Sequence, residues 1–174
     1  MGIYFDELKR AMTWLGEQQE TIFVGQAVKF PGTFMHGTLN GVPVEKRLEM
    51  PVAESFQLQF CIGLALMGFV PISIYPRQNF LLLSASDLVN LLDKLPVMSS
   101  DQVKPKVIIR TASGPTKPLF PGHQHVGNYA DAFRQMLTWV KIVELNSAKE
   151  ILSTYQQAYE RDGATLVIEH GDLL

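Results

Sequence analysis

The residue with the clearest chemical potential in this sequence is Glu54, a carboxylate at the start of an apolar segment. It ends the run Met-Pro-Val-Ala-Glu, and the residues that follow it, up to Met67, are mostly small or apolar. This pattern predicts a buried helix that Gly68 ends. A helix dipole favours a negative charge in its first turn. On local spacing alone, a favourable charge at the helix start is a sufficient explanation for Glu54. Whether the residue has a chemical role therefore depends on the other motifs of the sequence.

Two histidines and an aromatic residue are the next candidates. His123 and His125 lie in a segment rich in glycine and proline, and an imidazole there could stabilise or shuttle protons. A metal site is not favoured, because no cysteine or carboxylate lies close in sequence and His-x-His is a pattern of low specificity. Phe80 offers a flat apolar ring, although a core phenylalanine at a strand end is nearly as good an interpretation.

The composition excludes several classes of function. Of the 174 residues 47% are hydrophobic and only 18% charged, which fits a sheet covered on both faces or a chain that buries surface against a partner. The net charge of −2 gives no reason to expect nucleic acid or a membrane surface. Cys61 is the only cysteine, so a disulfide framework is excluded. The N-terminal residues resemble neither a signal peptide nor a membrane span, and we expect a cytoplasmic protein.

Helical and extended patterns alternate along the chain. They predict a single α/β domain over residues 1–174, with a doubly wound, mainly parallel sheet and helices on both faces. Ligands of such sheets bind at the carboxyl ends of the strands, so the long loops over 29–43 and 111–127 are candidate site walls. A Rossmann-type nucleotide site is excluded because no G-x-G-x-x-G follows the first strand. Helices are predicted over 3–15, 53–67, 81–95, 129–137 and 147–161, and strands over 21–25, 47–50, 69–74, 107–110, 140–145 and 165–169.

Seven short motifs follow one another in a recognisable order. They are VGQAV, MPVAE, IGLALMGFVP, QNF, VIIRTASG, QHVG and VIEH, and they span nearly the whole chain from Thr21 onward. No single motif is specific. Their order and spacing together resemble the pyrimidine-binding domain of transketolase-like thiamine diphosphate enzymes, most closely the beta subunits of 2-oxo-acid dehydrogenases. The resemblance implies the same doubly wound fold and the same cofactor.

The resemblance also implies roles for individual residues. Glu54 matches the glutamate that hydrogen-bonds the aminopyrimidine ring of thiamine diphosphate and thereby activates the cofactor. Phe80 matches an aromatic residue that stacks on the pyrimidine. His125 matches a histidine that faces the substrate. Val52 matches an aliphatic residue near the thiazolium ring, although it could equally fill the core. Gln26 stands where the family usually has a glutamate, so it can hydrogen-bond without carrying charge.

Other departures concern the second half of the cofactor site. In this family a GDG motif on a different domain holds the diphosphate and its Mg²⁺, and the sequence contains no GDG. We therefore expect a GDG-containing partner chain, in a dimer or heterotetramer, and no activity without it. The implied substrate is a small 2-oxo acid or ketose, for decarboxylation or ketol transfer. Pro76-Arg77-Gln78 replaces a more apolar stretch of the family, and the segment after His125 also differs.

One alternative remains open. The chain could be a non-catalytic interaction or regulatory module that retains the fold. Gln26, the altered segment after His125 and the expected lack of the family's C-terminal domain all favour this second interpretation.

Overall fold

A parallel β-sheet forms the centre of the molecule. The computed structural model describes residues 2–117 and 120–174, and within them the sheet has six strands in the order β2-β1-β3-β4-β6-β5, with every neighbouring pair parallel. The predicted α/β fold with a doubly wound sheet is thus confirmed, and the described sheet is parallel throughout. The strands are β1 (Thr21–Gly25), β2 (Arg47–Glu49), β3 (Val70–Tyr75), β4 (Ile108–Ser113), β5 (Lys141–Leu145) and β6 (Thr165–His170).

Helices cover both faces of the sheet. The α-helices are α1 (Ile3–Glu17), α2 (Phe34–Thr38), α3 (Glu54–Leu66), α4 (Gln78–Leu81), α5 (Leu95–Met98), α6 (Ala130–Met136) and α7 (Ala148–Glu160). α1 and α7 pack against each other on one face, whereas α3 packs on β3 on the other face. No helix within the described ranges is both long and apolar enough to cross a membrane.

Two hydrophobic clusters, one on each face, hold the layers together. Successive residues of β6 alternate between them, because side chains of a strand point to opposite faces in turn. Val167 belongs to the cluster under α1 and α7, and Leu166 and Ile168 belong to the cluster under α3. β3 and β4 are buried at every position and β6 at all but its last, as expected for a parallel sheet covered on both faces. Their polar residues, such as Arg110 and Glu169, are therefore buried as well.

The chain after α4 differs from the single helix predicted over 81–95. It is divided into a 3-10 turn (Leu82–Ser84), a π-helix (Asp87–Leu92) and the short helix α5. Pro96 lies in the first turn of α5 instead of ending a helix, because an amide in that turn has no intrahelical acceptor to lose. The loop predicted over 29–43 likewise contains α2.

Asp93 ties this divided segment to the start of β5. Its side chain is fully buried and accepts hydrogen bonds from the backbone amides of Thr138, Trp139 and Val140 at 2.7–2.9 Å, and Lys94 Nζ lies 2.8 Å from Oδ2. Burial alone would raise the pKa of Asp93. The hydrogen bonds from Lys94 and the three amides outweigh it and lower the pKa to about 2.

This depressed pKa predicts an acid-sensitive contribution to stability. Because the carboxyl binds protons more weakly in the folded chain, its contribution of about 2 kcal/mol is complete above pH 4 and is lost as the pH falls toward 2. Urea unfolding between pH 2 and 6 should show a weaker pH dependence for Asp93→Asn than for the wild type. Asp6→Asn, on the exposed surface of α1, serves as the control, and parallel profiles for Asp93→Asn and the wild type would contradict the assignment.

Candidate functional site

The strand order reverses between β1 and β3, and an open cleft lies at this point. β1 leads to β2 on one side, whereas β3 and β4 lie on the other side. Such a reversal leaves a crevice outside the carboxyl ends of the strands, where ligands of open α/β sheets bind. The cleft has a volume of about 530 Å³, and among the described residues that line it none is acidic. The lining comes from segments that follow β1, β3 and β4, and it includes Gln26, Thr33, Phe34, Arg77, Phe80 and His125.

The structure brings together three of the five predicted site residues. Gln26, Phe80 and His125 line the cleft, and the ring centroids of Phe80 and His125 lie 5.7 Å apart. Glu54 and Val52 are not among the lining residues and lie together at the start of α3. Val52 is 78% exposed, so the interpretation of this residue as core filling is wrong.

A hydrogen bond to its main-chain carbonyl positions Glu54, whereas its carboxylate has no hydrogen-bond partner among the described residues. The residue is only 7% exposed, yet no described side chain or amide donates a hydrogen bond to the carboxylate. The Tyr75 hydroxyl donates to the Glu54 carbonyl at 3.2 Å, and Gln57 Nε2 donates to the carbonyls of Val24 and Ile74, which fixes α3 over the ends of β1 and β3. Since no described group takes up the carboxylate oxygens of this nearly buried residue, they can accept a hydrogen bond from an outside donor.

Glu49 supports the loop that carries Gln26. Its carboxylate, at the end of β2, accepts hydrogen bonds from the backbone amides of Ala27, Val28 and Lys29 at 2.6–2.9 Å. Ala27 has a φ of 54°, in the left-handed region, and these hydrogen bonds hold it there. The sequence gives no signal for this role, because Glu49 lies about twenty residues from the amides that it binds.

Arg77 joins the loop after β3 to the segment after β4. Its Nη1 donates to the carbonyls of both Gly114 and His125, each at 2.7 Å. Partial burial lowers the pKa of the guanidinium from its usual value. The sequence marks Arg77 only as a departure from the family, since the carbonyls that it binds lie 37 and 48 residues away.

The two residues after Arg77 hold the same segment from the other side. Gln78 is fully buried, and its side chain accepts from Tyr129 N at 2.7 Å and donates to Asn128 at 3.2 Å. Asn79 donates to the Tyr129 hydroxyl at 3.1 Å. Together these contacts hold the chain that follows His125. His125 Nδ1 is buried and has no hydrogen-bond partner among the described residues.

No metal centre is formed by the part of the chain that the structure describes, since it holds no group of three or more His, Cys, Asp or Glu side chains that could hold an ion. His123 is exposed and is absent from the cleft lining. Its ring contacts Phe120, with centroids 5.2 Å apart.

Comparison with known proteins identifies the fold. No family model matches the sequence, and no curated protein matches it. Among solved structures the chain is similar to one described as "Split gene transketolase, inactive beta4 tetramer", with a TM-score of 0.73 and 16% sequence identity. The match covers 96% of this chain and 51% of the other, so the chain spans about half the length of that protein. The transketolase-like α/β fold is therefore shown, and at this identity the likeness extends to the fold alone.

Proposed function

We propose that this chain is the pyrimidine-binding subunit of a split thiamine diphosphate enzyme, acting in 2-oxo-acid decarboxylation or ketol transfer. The observation that carries the proposal is Glu54 at the start of α3, a nearly buried residue whose carboxylate has no hydrogen-bond partner among the described residues. The cleft that contains Gln26, Phe80 and His125 at the reversal of strand order supports it. The fold shared with a split transketolase agrees with this class. A closer relation to 2-oxo-acid dehydrogenase beta subunits is part of the proposal.

The residues present fit thiamine diphosphate. When bound, this cofactor supplies the nucleophilic carbon that attacks the carbonyl of a 2-oxo acid or ketose. Glu54 offers an acceptor that no described group occupies, and it would hold a proton at the pyrimidine ring. Phe80 would pack against that ring, and Gln26 and Val52 would complete its surroundings. His125 Nδ1, buried without a partner, could hold a proton beside the substrate.

An uncharged apolar surface next to Glu54 supports the requirement for a second chain. We call it the α3 outer face, and it consists of Val52, Phe56, Gly63, Leu66 and Met67. The four larger side chains are 54–79% exposed, and a Cβ at Gly63 would meet no atom within 4 Å. The sequence from Ser55 to Phe69 carries no charged residue. Apolar patches of this kind mark interfaces.

We infer that the GDG-containing partner covers the α3 outer face. The face begins two residues before Glu54 and continues along the helix that Glu54 starts. A partner seated there would therefore also enclose the Glu54 carboxylate and bring the diphosphate and Mg²⁺ ligands that this sequence lacks. In this proposal residues 1–174 form one pyrimidine-binding domain, and the assembly is a dimer or heterotetramer.

Co-purification with a GDG-containing chain tests the proposal. The mixture should bind thiamine diphosphate with Mg²⁺ in a calorimetric titration, and it should decarboxylate a 2-oxo acid or transfer a ketol group. A complex that forms but shows neither binding nor turnover would instead identify a non-catalytic module, the alternative described above.

Charge placed on the α3 outer face should prevent assembly without unfolding the chain. We expect Met67→Glu to weaken the complex by about 30-fold or more, the loss typical of an interface hot spot, as measured by light scattering or calorimetry. Ile3→Glu is the matched control, because Ile3 is similarly exposed (77%, against 79% for Met67) but lies on α1. Equal affinities for the two variants would place the partner elsewhere.

A further inference from the structure

We propose that Arg77 is the specificity-determining residue of the cleft and holds the carboxylate or phosphate group of the substrate. The inference rests on the proposed function, and it assigns to this chain the recognition of an anionic group. Arg77 departs from the apolar stretch that the resembled family has at this place, so the role is not carried over from the family.

The hydrogen bonds of Arg77 leave one edge of its guanidinium available. A guanidinium has five N–H groups in a fixed plane. The two on Nη1 suffice for the carbonyls of Gly114 and His125, both at 2.7 Å. Nε and Nη2 make no hydrogen bond to the described residues. These two atoms present parallel N–H groups, the arrangement that binds two oxygens of a carboxylate or phosphate at once.

The charge of Arg77 also lacks a counter-ion. No carboxylate oxygen of the described residues lies within 4.0 Å of its guanidinium, and no residue lining the cleft is acidic. The acids around the cleft have other partners or lie outside its lining. Glu49 binds three backbone amides, Asp172 beside Gly114 accepts two hydrogen bonds from Thr116, and Glu54 is not among the lining residues. A cation that is partly withdrawn from water gains from an anion more than a fully solvated one does.

The anchoring of Arg77 suits it to set the position of a ligand. Two main-chain carbonyls hold Nη1, and one of them belongs to His125. Pro76, Pro115 and Phe34 also line the cleft and supply apolar walls. An anion on the free edge of Arg77 and a reacting group near the His125 ring would share one cleft of about 530 Å³, large enough for a small acid or a sugar phosphate.

A purely structural role is the competing interpretation, in which Arg77 only ties two loops together. The two roles differ in what an added anion does to the Nε–H group. If Arg77 only tethers the two loops, the nuclear magnetic resonance signal of Nε–H should not change when an anion is added. If Arg77 binds the anion, the signal should change until the site is saturated.

The decisive experiment titrates the full chain, without cofactor or partner, with pyruvate and with inorganic phosphate. We expect the Arg77 Nε–H resonance in nitrogen-15 spectra to shift with at least one probe and to saturate, and the probe that binds tighter identifies the anionic group. Arg77→Gln should bind that probe at least 10-fold more weakly, and Arg77→Lys should fall in between because ammonium cannot form the paired hydrogen bonds. Arg10→Gln removes the same charge on α1 and should bind like the wild type.

Two outcomes would overturn the inference. One is a Nε–H resonance that neither probe shifts in a saturable way. The other is a folded Arg77→Gln variant that binds the probe as tightly as the wild type does. If that variant does not fold, the same comparison is made with Arg77→Lys. Neither outcome depends on thiamine chemistry. An assembled complex that turns over while Arg77 binds no anion would refute this inference alone, and anion binding without any thiamine-dependent turnover would refute the proposed function alone.

Discussion

Glu54→Gln should reduce thiamine-dependent turnover of the assembled complex by about 100-fold or more. Glutamine has nearly the same shape, so the start of α3 and its contacts through the Glu54 carbonyl should persist. The amide cannot hold and release a proton as a carboxyl does, and such proton transfer contributes at least that much to a rate. The measurement is the initial rate with a saturating 2-oxo acid or ketose, together with the affinity for thiamine diphosphate.

The control for this variant is Glu45→Gln, which makes the same change at an exposed position. It should retain the wild-type rate. A Glu54→Gln complex that retained wild-type turnover would remove the residue from the mechanism, even if the complex still required thiamine diphosphate.

Glu169→Gln should destabilise the folded chain by about 3–5 kcal/mol, because it leaves the buried charge of Arg110 without its counter-ion. The two side chains are fully buried on the neighbouring strands β4 and β6 and form a paired interaction, with Nε to Oε1 at 2.6 Å and Nη2 to Oε2 at 3.0 Å. The Tyr155 hydroxyl of α7 donates to the same carboxylate at 2.6 Å. Chemical denaturation at neutral pH measures the loss.

Two further variants test whether the unpaired charge is the cause. Replacing both partners with apolar residues, Arg110→Met with Glu169→Leu, should cost less than the single Glu169→Gln change. Glu7→Gln breaks the exposed pair with Arg10 and should cost less than about 1 kcal/mol. A double variant less stable than the single one would show that packing, and not charge, dominates at this position.

The sequence predicts the sheet better than it predicts the connections. All six strands begin within one residue of their predicted positions, because most of them are short apolar runs bounded by polar or turn residues. The Ser-x-x-Glu spacing of Ser147 and Glu150 is typical of a capping box, and α7 begins with one, with Glu150 Oε1 2.8 Å from Ser147 N. The apolar runs and the capping residues each lie within a few neighbouring positions, so they can be recognised from the sequence alone.

What could not be predicted depends on distant contacts. Arg77 and Asp93 become informative only through partners at least 37 residues away along the chain. The helix over 53–67 is predicted to be buried, but only one side of it is, since Phe56, Leu66 and Met67 are exposed. An apolar residue that meets a partner and one that fills the core look alike in sequence, so periodicity cannot separate them.

The α3 outer face also governs how the isolated chain should respond to temperature. Near room temperature the attraction between apolar surfaces is mainly entropic, so it weakens on cooling. Because no charged residue lies between Ser55 and Phe69, contact between two copies through this face would be driven by this attraction. The unpartnered chain should therefore stay dispersed most readily in the cold and associate as it is warmed, well below the temperature at which its sheet unfolds.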